Sequence, residues 1–390
     1  TPSSVCTAAR NGVACSIRMR IASHGSTSGP GAKSTTRGIG FSSAQTSMRL
    51  TRPGRPRAST CSGTCRASSA NGGATTLTRS SKRYGSSRGV EELTFDVPHA
   101  EVFGFLGPNG AGKTTVAANL GGVLADAGFR VLLLDLDSQP TLSSYYALCA
   151  PREAGSYELI AQGLTAPEQV ISTTVIQHLD LIVSNDRAGH INTLLLHAAD
   201  GRLRLRNLLP AFQDQYDVLI IDTQGARSVV VEMVILASDC ALCPVPPEML
   251  AARELRRGTL GLFDELEPYR YLGVALPSVK LLLNQVNANR RDTRLIMQSL
   301  QASFEGDPHV SVCATVIPDR VAYPNAASLG LPVHRVEPTP PPRSRSPCAA
   351  EVMRALAVEL FPQWAKRLVG AGPQMPSQQS AVECRLIRRG

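Results

Sequence analysis

No aspartate or glutamate occurs in the first 90 residues, although 14 lysines and arginines do. The rest of the chain carries 26 basic and 31 acidic side chains. The formal charge of +9 therefore belongs to the N-terminal segment and is no sign of a basic folded body. Long apolar runs are lacking too. None reaches the roughly 18 residues that mark a membrane-spanning helix, so no span is expected. The N-terminus has no compact apolar core followed by a cleavage site, which excludes the pattern of a secretory signal. Its Arg, Ser and Thr content overlaps with a transit peptide, but the segment is long and poorly amphipathic. The expected location is cytoplasmic. Cysteine is too sparse for a disulfide scaffold, at ten in 390 residues. Cys240 and Cys243 have the spacing of a metal pair, but no second C-x-x-C accompanies them. On a strand their odd spacing puts them on opposite faces, so two buried, inert thiols are expected rather than zinc.

What is present falls into three parts. Residues 1–80 are rich in Ser, Thr, Gly, Arg and Ala and cannot offset their chain entropy by burial, so disorder is expected there. Order should begin near Lys82 and continue to residue 368, with a flexible tail over 369–390. Within the ordered part, strands are expected at 92–98, 102–106, 130–135, 179–183, 216–222, 240–245, 279–283 and 312–316. Helical patterns fall at 113–127, 158–162, the start of 165–175, part of 190–213, 229–237, 248–265, 292–304 and 349–360. Residues 335–347 read as a loop. Strands separated by helices predict an α/β fold, a mostly parallel sheet with helices on both faces.

The most specific motif is Gly107-Pro108-Asn109-Gly110-Ala111-Gly112-Lys113-Thr114-Thr115. It satisfies the phosphate-loop pattern G-x-x-x-x-G-K-[ST] between a buried strand and a helix start, which is the P-loop NTPase context. Such a loop aims successive backbone N–H groups at a triphosphate. Lys113 adds a point charge, the Thr114 hydroxyl is placed to ligate Mg²⁺, and the helix N-terminus adds its dipole. The expected ligands are ATP and Mg²⁺. Asp222 ends an apolar strand and is expected to hold the metal from beside the loop. Asp135 and Asp137 follow the strand after the first helix. Their spacing brings both to the carboxyl edge of the sheet, where such folds bind ligands. One could orient the attacking water and the other support the metal, or either could cap the turn at Ser138-Gln139-Pro140.

From Gly112 to about Leu360 the chain resembles the ParA/MinD/Soj family of partition and positioning ATPases. The resemblance rests on Gly112 through Leu120, Val131 through Gln139, Tyr216 through Thr223, Pro244-Val245-Pro246-Pro247-Glu248, Val316-Ile317-Pro318 and Ala326 through Val333. It implies that Asp137 orients water, that Asp135 supports the metal region and that Asp222 is the second-strand acid. It sets Asn284 and Pro318 at the adenine pocket. It also implies an ATP-dependent homodimer, nonspecific DNA binding and a partner protein. Arg290, Arg291, Arg294 and Arg354 are the candidate DNA-facing residues. The chain departs from the family at Pro108, where a lysine normally reaches across the dimer. Proline has neither the charge nor the reach, so a weakened dimer and slow turnover are expected.

A shorter stretch, Ser81 through Thr115, resembles the opening of an ABC-transporter ATPase, in which Tyr84 would stack on adenine. No Leu-Ser-Gly-Gly-Gln signature follows. A junction at the shared Gly-Lys-Thr-Thr block, in the gene or in the gene model, accounts for both resemblances. The sequence therefore points to a ParA-like ATPase. A transporter subunit and a nucleotide-binding scaffold that does not hydrolyse are the alternatives.

Overall fold

The computed structural model describes residues 100–248, 255–287, 291–307, 309–340 and 346–370 and, within residues 1–99, backbone strands alone. The remainder of 1–80, Lys82, Tyr84, Arg290 and the tail from residue 371 lie outside the described residues. The chain divides into two compact units, Thr1–His99 and Ala100–Gly390. In the first, Ser4–Arg10, Val13–Ile21, Val90–Pro98, Ala74–Thr78 and Arg66–Ala70 pair in that order as an antiparallel sheet. The strand expected at 92–98 falls within Val90–Pro98.

The second unit is built on a nine-stranded sheet. Its strands are β1 Glu101–Phe105, β2 Val131–Asp135, β3 Leu148–Ala150, β4 Ser172–Thr174 and β5 Leu179–Ile182. They continue with β6 Val218–Asp222, β7 Cys240–Val245, β8 Ser278–Leu283 and β9 Val310–Val312. The spatial order is β3-β4-β5-β2-β6-β1-β7-β8-β9. From β5 to β9 every pairing is parallel, and β3 and β4 add an antiparallel edge.

The central strands are apolar along their length because both faces are covered. All five residues of β2 and all five of β6 are buried. Alternation sends Val131 and Leu133 into one core cluster and Leu132 and Leu134 into the other. The first cluster is filled by α1 (Lys113–Asp126) and the late helix Ala349–Leu360; the second takes Val229–Ala237 and His190–His197. Cys240 and Cys243 divide between the two clusters in the same way, as their spacing predicts. The fold is that of a P-loop NTPase. Val229–Ala237, Cys240–Val245 and Ala349–Leu360 have the bounds the sequence pattern gives.

Other segments differ. The strand expected at 312–316 is instead Val310–Val312. It stops because the Glu359 carboxylate accepts hydrogen bonds from the backbone N–H groups of Ala314 and Thr315, at 2.6 and 2.8 Å, drawing the chain off the ladder. The helical pattern at the start of 165–175 is the short helix Pro167–Val170, as expected, and the chain then enters β4. Val333–Val336, assigned in part to a loop, makes a helical turn instead. The His334 imidazole and the Arg335 guanidinium both hold the Asp126 carboxylate, and so tie this turn to the end of α1.

At the amino edge of the sheet, burial and then the charge of Asp239 push the Glu101 carboxyl from 4.5 up to about 7. Gln363 Nε2 donates to Glu101 Oε1 at 2.6 Å. A carboxyl whose pKa is higher in the folded than in the unfolded chain loses its stabilising contribution as pH rises through the folded value. Glu101→Gln should therefore match the wild type in thermal stability near pH 4 and exceed it near pH 8. Melting curves of both proteins across this range check the expectation.

Candidate functional site

Three strand tips and one loop define the site. β1 ends at Phe105, β6 at Asp222 and β2 at Asp135, and the ladder sets Asp222 beside Phe105 on one side and Asp135 on the other. The loop from β1 to α1 turns on Gly107, Gly110 and Gly112, whose φ angles are 126°, 79° and 85°. These left-handed conformations suit glycine and strain side chains. α1 has no side-chain cap and no acid in its first turn, so its N-terminus is open to an anion.

Lys113 is 7% exposed, and its Nζ donates to the Gly107 and Pro108 carbonyls at 3.0 and 3.1 Å. Burial lowers its pKa, opposed by the charges of Asp222 and Asp137. The Thr114 hydroxyl donates to Asp222 Oδ2 at 2.6 Å. The motif threonine and the strand-end acid, 108 residues apart, therefore meet as the sequence predicts. Burial pushes the Asp222 carboxyl up, as does the nearby Asp135.

Asp135 is fully buried, and its carboxylate accepts from Ser143 Oγ and N at 2.7 and 2.8 Å and from Asp137 N at 3.1 Å. Burial still pushes it up to about 6. Asp137 is half-buried, and one carboxylate oxygen caps the turn by accepting from Gln139 N at 2.9 Å. Its charge nevertheless bears on Lys113 and Asp222. The turn cap that the sequence offered as one alternative is thus made by Asp137.

Asn284 has a task the sequence did not suggest. It is 5% exposed and donates from Nδ2 to the Ala111 carbonyl at 2.7 Å, bracing the loop from below. Gln285, with φ of 57°, donates to the Gly110 carbonyl at 3.1 Å. Pro318 forms a parallel bridge with Val286, which ties this bracing segment to the chain after β9. Thr115 offers its carbonyl to the buried Asn119 amide, and exposed Asn109 abuts Gly225.

A cleft of about 460 Å³ is lined by Gly107 and Pro108, the Gln224–Arg227 turn and Arg257. Arg227 is ion-paired with Glu265. Among the candidate DNA-facing residues, Arg294 is exposed and Arg354 half-buried. Sequence reasoning also missed Ser143 and Ser184. Ser184 donates to the Asp137 carbonyl at 2.6 Å and from its own N–H to Ser143 Oγ at 2.7 Å. Lone serines outside a motif carry no signal of such contacts.

The site fits a divalent cation. Asp222 and Asp135 are both completely buried at adjacent strand tips, both are pushed up by burial, and among the described residues Lys113 is the cation acting on Asp222. A metal beside the Thr114 hydroxyl would supply the positive charge this pair lacks.

Comparison with known proteins agrees with this geometry. Residues 108–259 match the AAA domain family. The sporulation initiation inhibitor protein Soj of Bacillus subtilis is 29% identical over 254 residues, which cover 64% of this chain and 94% of Soj. The fold is similar to that of apo McdA from Cyanothece, with a TM-score of 0.54 and 21% identity over 73% of this chain and 100% of McdA. It is also similar to the septum site-determining protein MinD of Pyrococcus horikoshii complexed with Mg-ADP, with a TM-score of 0.50 and 17% identity over 71% of this chain and all of that one. The fold and the loop are those of a P-loop NTPase, and the proteins the chain is similar to include Soj, McdA and MinD. Among the described residues, no helix is long and apolar enough to cross a membrane.

Proposed function

We propose that the chain binds ATP with Mg²⁺ and hydrolyses it slowly, in DNA or plasmid partition or a related positioning task. The observation that carries this reading is the 2.6 Å contact between Thr114 and Asp222 at the head of the Gly107–Gly112 loop. It pairs a hydroxyl and a carboxylate at the place where a phosphate-bound metal is needed. Gly107, Asn109, Gly110, Ala111, Gly112, Lys113, Thr114 and Thr115 would cradle the phosphates. Thr114 and Asp222, with Asp135 one strand away, would hold Mg²⁺, which when bound would neutralise charge on the phosphate oxygens. Asn284 and Pro318 would border the adenine, with Asn284 also bracing the loop.

In hydrolysis, a water oxygen bonds to the γ-phosphorus as the bridging P–O bond breaks, ADP departs and the water proton passes to phosphate or solvent. Asp137 orients that water, and Lys113 balances charge on the transferring group. The family resemblance suggests nonspecific DNA, a partition-type partner protein and a homodimer as partners. Pro108 weakens the dimer because it offers no cation to a second copy. Light scattering with and without a nonhydrolysable ATP analogue tests the dimer directly.

Asp137→Asn should lower phosphate release about 100-fold and leave ATP affinity nearly unchanged, because water orientation contributes in the transition state and not in the ground state. A turnover assay paired with calorimetric titration separates the two quantities. Equal release by both proteins would remove Asp137 from the mechanism and favour the scaffold reading, to which the loss of a lysine at Pro108 also lends support. The resemblance of residues 81–115 to a transporter subunit remains the other alternative. Permease genes beside this one would favour it, and partition-protein genes would oppose it.

A further inference from the structure

The cleft beside the loop carries an inference that rests on the phosphate-loop reading and extends it. Its walls include Gly107 and Pro108, the turn at Gln224–Arg227, and Arg257 with Thr259. Among the described residues, two arginines line it and no carboxylate does. The two differ in what they have to spare. Arg227 is already neutralised by Glu265. Arg257 is exposed and has no carboxylate partner among the described residues. It lies in Leu255–Leu260, a π-helical turn, a local irregularity that often marks functional positions.

The neighbouring phosphate site is short of positive charge. The charges of Asp222 and Asp137 bear on Lys113, Asp135 lies beside Asp222 at the next strand tip, and the Pro108 side chain brings no donor. A diphosphate seated on the Gly110–Thr115 amides can be served by Lys113 and the helix N-terminus. A third phosphate adds further negative charge toward the Gly107-Pro108 side, where the cleft opens. We infer that Arg257 reaches across this cleft to the terminal phosphate of a bound nucleoside triphosphate and so distinguishes triphosphate from diphosphate. Its planar guanidinium can donate two parallel hydrogen bonds to phosphate oxygens, which an ammonium cannot match in geometry.

The test uses the full chain and calorimetric titration with two probes in the presence of Mg²⁺, ADP and a nonhydrolysable ATP analogue. Arg257→Ala should cut the preference for the triphosphate about tenfold, the scale of one lost charge-assisted interaction, and leave ADP affinity unchanged. Arg257→Lys should recover part of that preference, and Arg227→Ala should alter it little. Lys113→Ala should weaken both probes together. An unchanged triphosphate-to-diphosphate ratio in Arg257→Ala would overturn the inference and leave the phosphate-loop reading intact. An equal loss for both probes would also overturn it. If the wild type bound neither probe, the phosphate-loop reading would itself fall, and this inference with it. An exposed side chain can be removed without touching the core, and the lysine variant gives the same comparison with the positive charge kept.

Discussion

Lys113→Ala should lower ATP affinity about 100-fold or more, the largest effect expected of a single substitution in this protein. The ammonium is buried and held by the Gly107 and Pro108 carbonyls, so its position is set before any ligand arrives. Removing one member of a buried, hydrogen-bonded charge pair costs about 2–5 kcal/mol, and about 1.4 kcal/mol is tenfold in affinity. The same deletion removes the positive charge that acts on Asp222 and Asp137, so part of the loss would come from carboxylates repelling the incoming phosphates. Calorimetric titration with ATP and Mg²⁺ measures it. Affinity unchanged from the wild type would show that the triphosphate does not lie over this loop.

The second large effect is expected at Gly112, where one methyl group meets two obstacles. With φ at 85° a side chain is strained, and its Cβ would strike the Asn284 amide nitrogen. That amide is the group that braces Ala111, so it cannot move aside without breaking its bond to the loop. Gly112→Ala should therefore cost about 1–3 kcal/mol in backbone strain, with about 1 kcal/mol more for the lost hydrogen bond. Urea denaturation would register the instability, and triphosphate affinity should drop at least about tenfold as the amides lose their alignment. A stable variant with normal affinity would mean that the loop and its brace are far more yielding than their packing indicates.

The parts of this site that were legible in the sequence are those whose chemistry is local. A glycine loop needs its glycines, a buried parallel strand needs an unbroken apolar run, and the acid that ends such a run sits at the sheet's edge. Gly107 through Thr115, Asp222 and the β2 acids could be read for those reasons. What stayed hidden depends on contacts between distant segments. Nothing near Asn284 shows that its amide will meet Ala111, 173 residues earlier. Nothing near Ala314 shows that Glu359 will take its N–H and shorten a strand. Arg257 was hidden for a different reason: one arginine in Arg256-Arg257 looks like any solvated helix face until the fold sets it across a cleft from Pro108.

The short rims of the sheet have a consequence for solution behaviour. β9 is three residues long and is followed at once by N–H groups committed to Glu359, while β3, also three residues, slips register between Leu148 and Ala150. Neither rim offers a foreign chain a long, flat row of free donors and acceptors to copy. Self-association of this unit by endless strand-upon-strand growth is thereby discouraged, and copies that meet must do so through side chains.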